Sequence, residues 1–309
     1  MVDIRSPPPF TALSYTWSPT FPKHVVGCGD AEIAIGQNLW LCLLNLRHKD
    51  DQQLFWIDAI CINQEDVAER TQQVQLMRLF YQSAEDAIVW LGDHLENARE
   101  GVELAQQLSS LSNRFHGPQG RPSSTIFTFT DLGFPEGDHS SWKALDAILW
   151  SPWFTHAWII QEVAVARYLV MRIGDQVLAF DDMARAAYYI SWNVLTQETG
   201  VDPVRARILS EYRWQVQVGG ENVKTTLYDQ LALGRRCYAT DPRDKIYAFL
   251  GIASDEKALA VTLDYSIEVS GAYLETTRRL IEYYDNLDVL SQTETGLRAP
   301  FKYVPPLPS

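Results

Sequence analysis

The segment from Leu54 to Gly92 constrains the fold more than any other part of the chain. It begins with the apolar run LFWIDAICI, in which Asp58 is the single charged residue, and such a run predicts a buried strand. Asn63 is a helix-capping residue type, and acidic residues follow it, as the first turn of a helix favours. Apolar residues then recur at helical spacing, at Val67, Val74, Met77, Tyr81 and Ala84. Ala87–Leu91 predicts a second strand, which completes a parallel βαβ unit.

The residues before this segment predict another unit of the same kind. Ala12–Trp17 has the pattern of a strand, Phe21–Ile35 that of a hairpin turning near Gly29, and Gln37–Arg47 that of a helix. The two units would share the strand at Leu54–Ile62. The predicted fold class is therefore α/β, an open and mainly parallel sheet flanked by helices on both faces, with a flavodoxin-like core.

The remainder of the chain predicts a change in character near residue 180. Asn113–Ser140 is rich in Gly, Pro and Ser and predicts an irregular insertion. A helix opened by Pro152 should run to about Ala166, and a hairpin should follow. Further helices are predicted at Asp181–Leu195, Val204–Gln217 and Thr225–Leu233, from Pro242 onward, and at Ile267–Tyr284. One short strand is predicted at Leu287–Leu290. We expect a core domain over residues 1–180 and a mostly helical extension over residues 181–309 that packs on it.

The charge and the cysteines restrict the partners. With 39 acidic and 26 basic residues, the chain has a net charge of −13, which argues against sequence-independent binding of nucleic acid or of an anionic membrane. The four cysteines form no CxxC pair and no cluster with metal-ligand spacing, so neither a metal site nor a disulfide framework is expected. No apolar run is long enough to span a membrane, and we expect a cytoplasmic protein.

Three blocks of the sequence resemble the motifs of the fungal heterokaryon incompatibility (HET) domain. They are TALSYTWS at Thr11–Ser18, WIDAICINQEDVAERTQQV from Trp56, and SPWFTHAWIIQE at Ser151–Glu162. The order of the blocks is that of the family. The resemblance implies a role in fungal nonself recognition, in which the domain triggers programmed cell death after incompatible cells fuse. It also implies other incompatibility proteins or NLR-like proteins as partners, or self-association, and a chain that in relatives continues beyond Ser309.

Candidate site residues follow from the rule that open α/β sheets bind ligands beyond the carboxyl ends of their strands. Polar or aromatic residues at three predicted places meet this rule. They are Ser14, Tyr15 and Trp17 after the first strand, Asp58, Asn63 and Gln64 around the second, and Trp158 and Glu162 on a later helix. We expect the two carboxylates, Asp58 and Glu162, to be the catalytic candidates and the others, together with His156, to bind ligand.

A more distant resemblance suggests a reaction. The segment WIIQE is similar to the WCxxE segment of TIR domains, whose Glu carries NAD glycohydrolase activity in the enzymatic members, and LSYTW resembles the first TIR strand. Cleaving the nicotinamide–ribose bond develops oxocarbenium charge, which a carboxylate such as Glu162 can stabilise. NAD, or a related nucleotide, would then be a substrate, and no bound cofactor is otherwise predicted. The alternative is a non-enzymatic module that acts by protein–protein interaction or self-assembly.

Several residues retain a structural interpretation beside the functional one. Asp58 could be satisfied by backbone N–H groups or by Arg70 or Arg243, and Glu162 could pair with a nearby cation. His156 stands where the HET family usually has Arg, and Ser18 stands where it usually has Gly. If the usual Arg binds a phosphate or pairs with Asp58, His156 would do so only when protonated and less rigidly, which would lower activity; the alternative is that His156 is an ordinary helix-surface residue.

Overall fold

A computed structural model describes residues 7–18, 24–47, 50, 52–115, 129, 132–192, 195–218 and 225–292. The strands are β1 (Thr11–Tyr15), β2 (His24–Cys28), β3 (Ala31–Ile35), β4 (Phe55–Trp56), β5 (Asp86–Trp90), β6 (Leu169–Ile173) and β7 (Gln176–Ala179). The helices of the first part are α1 (Gln37–Leu46), α2 (Asp58–Cys61), α3 (Val67–Ser83), α4 (Ala98–Phe115), α5 (Ser140–Leu149) and α6 (Trp158–Val165). Those that follow are α7 (Phe180–Trp192), α8 (Thr196–Thr199), α9 (Val204–Gln217), α10 (Leu227–Gly234), α11 (Asp244–Leu250), α12 (Glu256–Leu259) and α13 (Val269–Tyr284).

The main sheet confirms the predicted α/β class. Its strand order is β4-β1-β5-β6-β7, with parallel pairing everywhere except between the antiparallel pair β6 and β7. Numbered along the chain, these five strands lie in the order 2-1-3-4-5, which is the flavodoxin-like order. The β2–β3 hairpin forms a separate antiparallel sheet, and Gly29 in its turn has a φ of +60°, as a tight hairpin turn requires.

Helices cover both faces of the main sheet. Successive side chains of a strand point to opposite faces, so the apolar residues of β1 and β5 are divided between two cores. On one face Leu13 of β1 and Trp90 of β5 pack against Leu39, Cys42 and Leu46 of α1. On the other, Ala12 and Ala87 belong to the larger core that includes α3 and α6. β1 is buried on both sides, and its polar residues are therefore held in fixed positions.

Helix α6 is held by residues that come later in the chain. Arg213 of α9 is buried and donates to the carbonyl oxygens of Val163, Ala166 and Arg167 at 2.9, 2.5 and 2.8 Å. These carbonyls have no partner within the helix, and a cation suits the negative end of the helix dipole. The expected helical region after residue 181 is present, and this contact supports the proposal that it packs on the core.

Four local predictions were wrong. The strand predicted at Leu54–Ile62 ends at Trp56, and Asp58–Cys61 is a helical turn. The following helix is capped by Asp66, whose carboxylate accepts from the N–H groups of Ala68 and Glu69, and not by Asn63.

The other two errors are also at element ends. The helix predicted from Pro152 is divided into a 3-10 turn at Pro152–Thr155 and α6, and Leu287–Leu290 contributes to a 3-10 turn and not to a strand. Most of the predicted insertion and the tail after residue 292 lie outside the described residues.

Candidate functional site

Ser14, at the end of β1, and Glu162, on α6, form a buried hydrogen-bonded pair. The Ser14 hydroxyl donates to Glu162 Oε2, and its oxygen accepts from Trp153 Nε1 at 2.7 Å. Tyr81 of α3 also hydrogen-bonds to Glu162, while its own hydroxyl donates to the Leu13 carbonyl at 3.0 Å. Ser14, Tyr81, Trp153 and Glu162 are each less than one-tenth exposed. We call these four residues the inner cluster.

Burial raises the pKa of Glu162 to about 8, against the hydrogen bonds from its neighbours. Its carboxyl is therefore protonated at neutral pH, because no cationic side chain of the described residues offsets the cost of an ionised group in this position. A protonated carboxyl suits the inner cluster: it can donate to Tyr81 Oη while accepting from Ser14. The alternative in which Glu162 pairs with a cation is not found in the described part of the chain.

Asp58 opens the helical turn α2, directly after β4. Its Oδ1 accepts from the Ala59 N–H at 2.7 Å, and its Oδ2 accepts from Trp17 Nε1 at 3.0 Å. Tyr15 also hydrogen-bonds to this carboxylate. Burial raises the pKa of Asp58 to about 6, and these hydrogen bonds oppose the rise, so the group is mainly ionised at pH 7.

The cation partners suggested for Asp58 lie elsewhere. Arg243 binds the Asp241 carboxylate with two nitrogens at 2.9 and 2.7 Å, and Arg70 lies 3.8 Å from the same carboxylate. Asp58 is instead satisfied by a backbone N–H and by aromatic side chains. Asp58 does not itself line the cleft described next, but it holds Tyr15 and Trp17, which do.

A cleft of about 570 Å³ opens beside Asp58. Its walls are formed by the end of β1, the hairpin strand β3, and the segment that joins α2 to α3. The lining comprises Tyr15, Trp17, Ser18, Ile33–Gly36, Leu39, Ala59–Glu65 and Glu69. Trp17 is half exposed, whereas Tyr15 and Gln64 are partly buried. The cleft lies at the carboxyl ends of parallel strands, where ligands of open α/β sheets bind.

The two carboxyl groups lie on opposite sides of β1. Ser14 and Tyr15 are neighbours in the strand, so their side chains point to opposite faces of the sheet. Ser14 points to the α3 and α6 face and holds Glu162, whereas Tyr15 points to the α1 face and lines the cleft. Glu162 is not part of the cleft wall, although its charge and that of Asp58 influence each other.

The structure therefore places most of the predicted site residues in two groups. Tyr15, Trp17, Asn63 and Gln64 line the cleft, with Asp58 bound to two of them, while Ser14 and Glu162 belong to the inner cluster. His156 and Trp158 belong to neither group.

His156 lies between the 3-10 turn and α6, with its ring 6.1 Å from that of Tyr238. Burial lowers the pKa of His156 to about 4, so the ring is neutral at pH 7 and does not replace an arginine as a phosphate ligand. Trp158 hydrogen-bonds to the carboxyl group of Asp244, which also accepts from Tyr265. Both residues connect α6 to the region after residue 234.

Trp153 and Tyr81 were not predicted from the sequence as site residues. A signal was present for Tyr81, because a tyrosine on a buried helix face needs a partner for its hydroxyl. Trp153 stands in the third sequence block, directly before the residues that were selected. The contribution of β3 to the cleft could not be predicted, since it depends on how the hairpin folds over α2.

Within the described ranges no group of His, Cys, Asp and Glu side chains could hold a metal ion. No helix of the described part of the chain is both long and apolar enough to cross a bilayer.

Comparison with known proteins agrees with the sequence blocks. The family model "Heterokaryon incompatibility protein (HET)" matches residues 10–162. A curated relative, heterokaryon incompatibility protein 6, OR allele, of Neurospora crassa, is 23% identical over 90% of this chain and 48% of its own length. The chain thus spans about half the length of this relative. No solved structure matches, so the resemblance to TIR domains stays a prediction. The matched segment contains β1 to β5, the cleft and Glu162, and the chain is accordingly a HET-domain protein.

Proposed function

We propose that this chain acts in fungal nonself recognition and that its HET domain promotes cell death by cleaving NAD or a related nucleotide in the cleft beside Asp58. The single observation that carries the catalytic part is the position of Asp58. An ionised carboxylate, with no cation partner among the described residues, is held at the carboxyl edge of the sheet by hydrogen bonds from Tyr15 and Trp17. Carboxylates with perturbed pKa values next to clefts are candidates for function.

The reaction proposed is hydrolysis of the nicotinamide–ribose bond. The bond between ribose C1′ and the pyridinium nitrogen breaks, and its electron pair stays on the nitrogen of the departing nicotinamide. A water oxygen bonds to C1′ and releases a proton to solvent. Positive charge develops on the ribose ring as the bond lengthens, and the Asp58 carboxylate would stabilise it.

In this proposal Glu162 is a positioning residue and not the group that contacts substrate. Its carboxyl is protonated, is buried behind β1 and is fixed by Ser14 and Tyr81. Through Ser14 it fixes the position of the end of β1, and therefore that of the neighbouring Tyr15. This assignment differs from the one that the TIR resemblance implies, in which Glu162 is catalytic.

The test is NAD consumption by the purified protein at high concentration. Wild type should release nicotinamide, and Asp58→Asn should lower kcat/KM at least about a hundredfold, because the neutral amide cannot stabilise the ribosyl cation. The wild-type kcat/KM should also fall as the pH drops below about 6, where Asp58 gains its proton. Circular dichroism would establish that the variant is folded.

A second candidate function is a non-enzymatic interaction module, and the burial of Glu162 favours it. If Glu162, the residue that the resemblance to TIR domains implies to be catalytic, is closed inside the core, death signalling could depend on assembly alone. Trp192 on α7 and Trp214 on α9 are each more than half exposed and would suit a partner surface. Absence of NAD turnover by wild type, even when concentrated or crosslinked into oligomers, would support this candidate and contradict the first.

A further inference from the structure

The charged residues in the described lining of the cleft are all acidic. Glu65 and Glu69 are part of the wall, and Asp58 accepts a hydrogen bond from the indole N–H of Trp17. The described lining contains no Lys, Arg or His. The chain as a whole carries a net charge of −13, which adds a repulsive field for anions.

The aromatic surface of the cleft suits a cation. Trp17 is 50% exposed, and its indole N–H is fixed by the Asp58 carboxylate at 3.0 Å. A tryptophan face is the best aromatic partner for a cation, and the Asp58 carboxylate at the edge of the ring adds Coulombic attraction. The indole ring is therefore both held by a hydrogen bond and half exposed.

The described lining of the cleft offers no cationic side chain to a phosphate group. The helix N-terminus at its edge, that of α1, would be the natural place for an anion. The Asn38 N–H there already donates to Ser18 Oγ at 3.3 Å. The pyrophosphate of a dinucleotide would thus meet carboxylates and no cationic side chain of the described lining.

We propose that the cleft selects a planar aromatic cation, of the N-alkylpyridinium class to which the nicotinamide end of NAD belongs, and that the phosphates of such a ligand stay outside it. This inference rests on the proposed function and specifies which end of the nucleotide is recognised. The neutral ring of the product nicotinamide would bind more weakly than the charged ring of the substrate, which favours product release.

The experiment uses N1-methylnicotinamide, a pyridinium cation with no ribosyl bond to cleave, so binding is measured independently of turnover. By isothermal titration it should bind at least about fivefold tighter than neutral nicotinamide, and added salt should reduce the difference. Trp17→Leu should weaken binding of the cation about fivefold or more, whereas Trp192→Leu, a matched exposed tryptophan outside the cleft, should not change it.

Three results would overturn the inference. They are equal affinity for the cation and for nicotinamide, tighter binding of ADP-ribose than of the cation, and no binding of the cation at about 10 mM. If the cation binds as expected and NAD is not consumed, the proposed hydrolysis fails while the inference about the ligand stands. If NAD is consumed and the cation shows no preference, the inference fails and the proposed hydrolysis stands.

Discussion

Replacing Glu162 with Gln should make the protein more stable at alkaline pH and leave its stability almost unchanged near pH 5. In the unfolded chain this carboxyl loses its proton near the ordinary pKa of 4.5, whereas in the folded protein it retains the proton up to a pKa of about 8. Between these values the folded state binds one more proton, so the stability of wild type falls as the pH rises. Gln is neutral throughout and can make the same two hydrogen bonds.

The size of this effect follows from the raised pKa of Glu162. At 1.36 kcal/mol for each pKa unit, the variant should exceed wild type by about 3–5 kcal/mol in free energy of unfolding at pH 8.5. Urea unfolding at pH 5, 7 and 8.5 measures this, since the contribution of Asp244 is common to both proteins and cancels in the difference. Glu211→Gln, at an exposed position, is the control and should show little change. Parallel stability curves for wild type and Glu162→Gln would contradict the protonated assignment.

Truncating Trp153 should be the most destabilising single change in the inner cluster. The side chain is fully buried, contacts Phe154 edge-on with 5.0 Å between ring centroids, and donates to Ser14 Oγ. Trp153→Ala should therefore lower the free energy of unfolding by about 3–5 kcal/mol, because contacts are lost and a cavity remains. Trp153→Phe keeps a ring but loses the hydrogen bond, and should cost about 1–3 kcal/mol.

The matched control for Trp153→Ala is Trp192→Ala, because Trp192 is 56% exposed. That substitution should cost less than about 1 kcal/mol. The midpoints of urea unfolding at pH 7 give the comparison. Similar losses for the two variants would show that the inner cluster does not depend on Trp153.

Much of the fold could be predicted because it depends on local patterns. The helix at Val204–Gln217 and the two hairpins have the predicted positions, since helical periodicity and Gly-containing turns are properties of a few neighbouring residues. The strand at Leu54–Ile62 was overextended because a short apolar run does not distinguish a strand from a strand followed by a helical turn. The chain changes from extended to helical backbone at the polar residue Asp58, which begins α2.

The candidate site could be predicted only in part, because its division depends on tertiary structure. The rule for strand ends selected Tyr15, Trp17, Asn63 and Gln64, which line one cleft, and their role in binding a ligand stays a prediction. Side chains alternate along a strand, so the placement of Ser14 and Tyr15 on opposite faces could be predicted. Which residue each of them contacts, Glu162 for Ser14 and Asp58 for Tyr15, could not be predicted. Trp153 and β3 come from distant parts of the chain, so no local pattern connects them to β1.

We propose different roles for the two carboxyl groups: Asp58 stabilises the reacting ribose, and Glu162 positions β1. Cleavage of NAD at pH 7 by Asp58→Asn and by Glu162→Gln, measured in parallel, distinguishes these roles. Asp58→Asn should lose at least about a hundredfold in rate, whereas Glu162→Gln should stay within about threefold of wild type. Loss of activity in Glu162→Gln with activity retained in Asp58→Asn would refute these roles, and would place the catalytic carboxylate on α6.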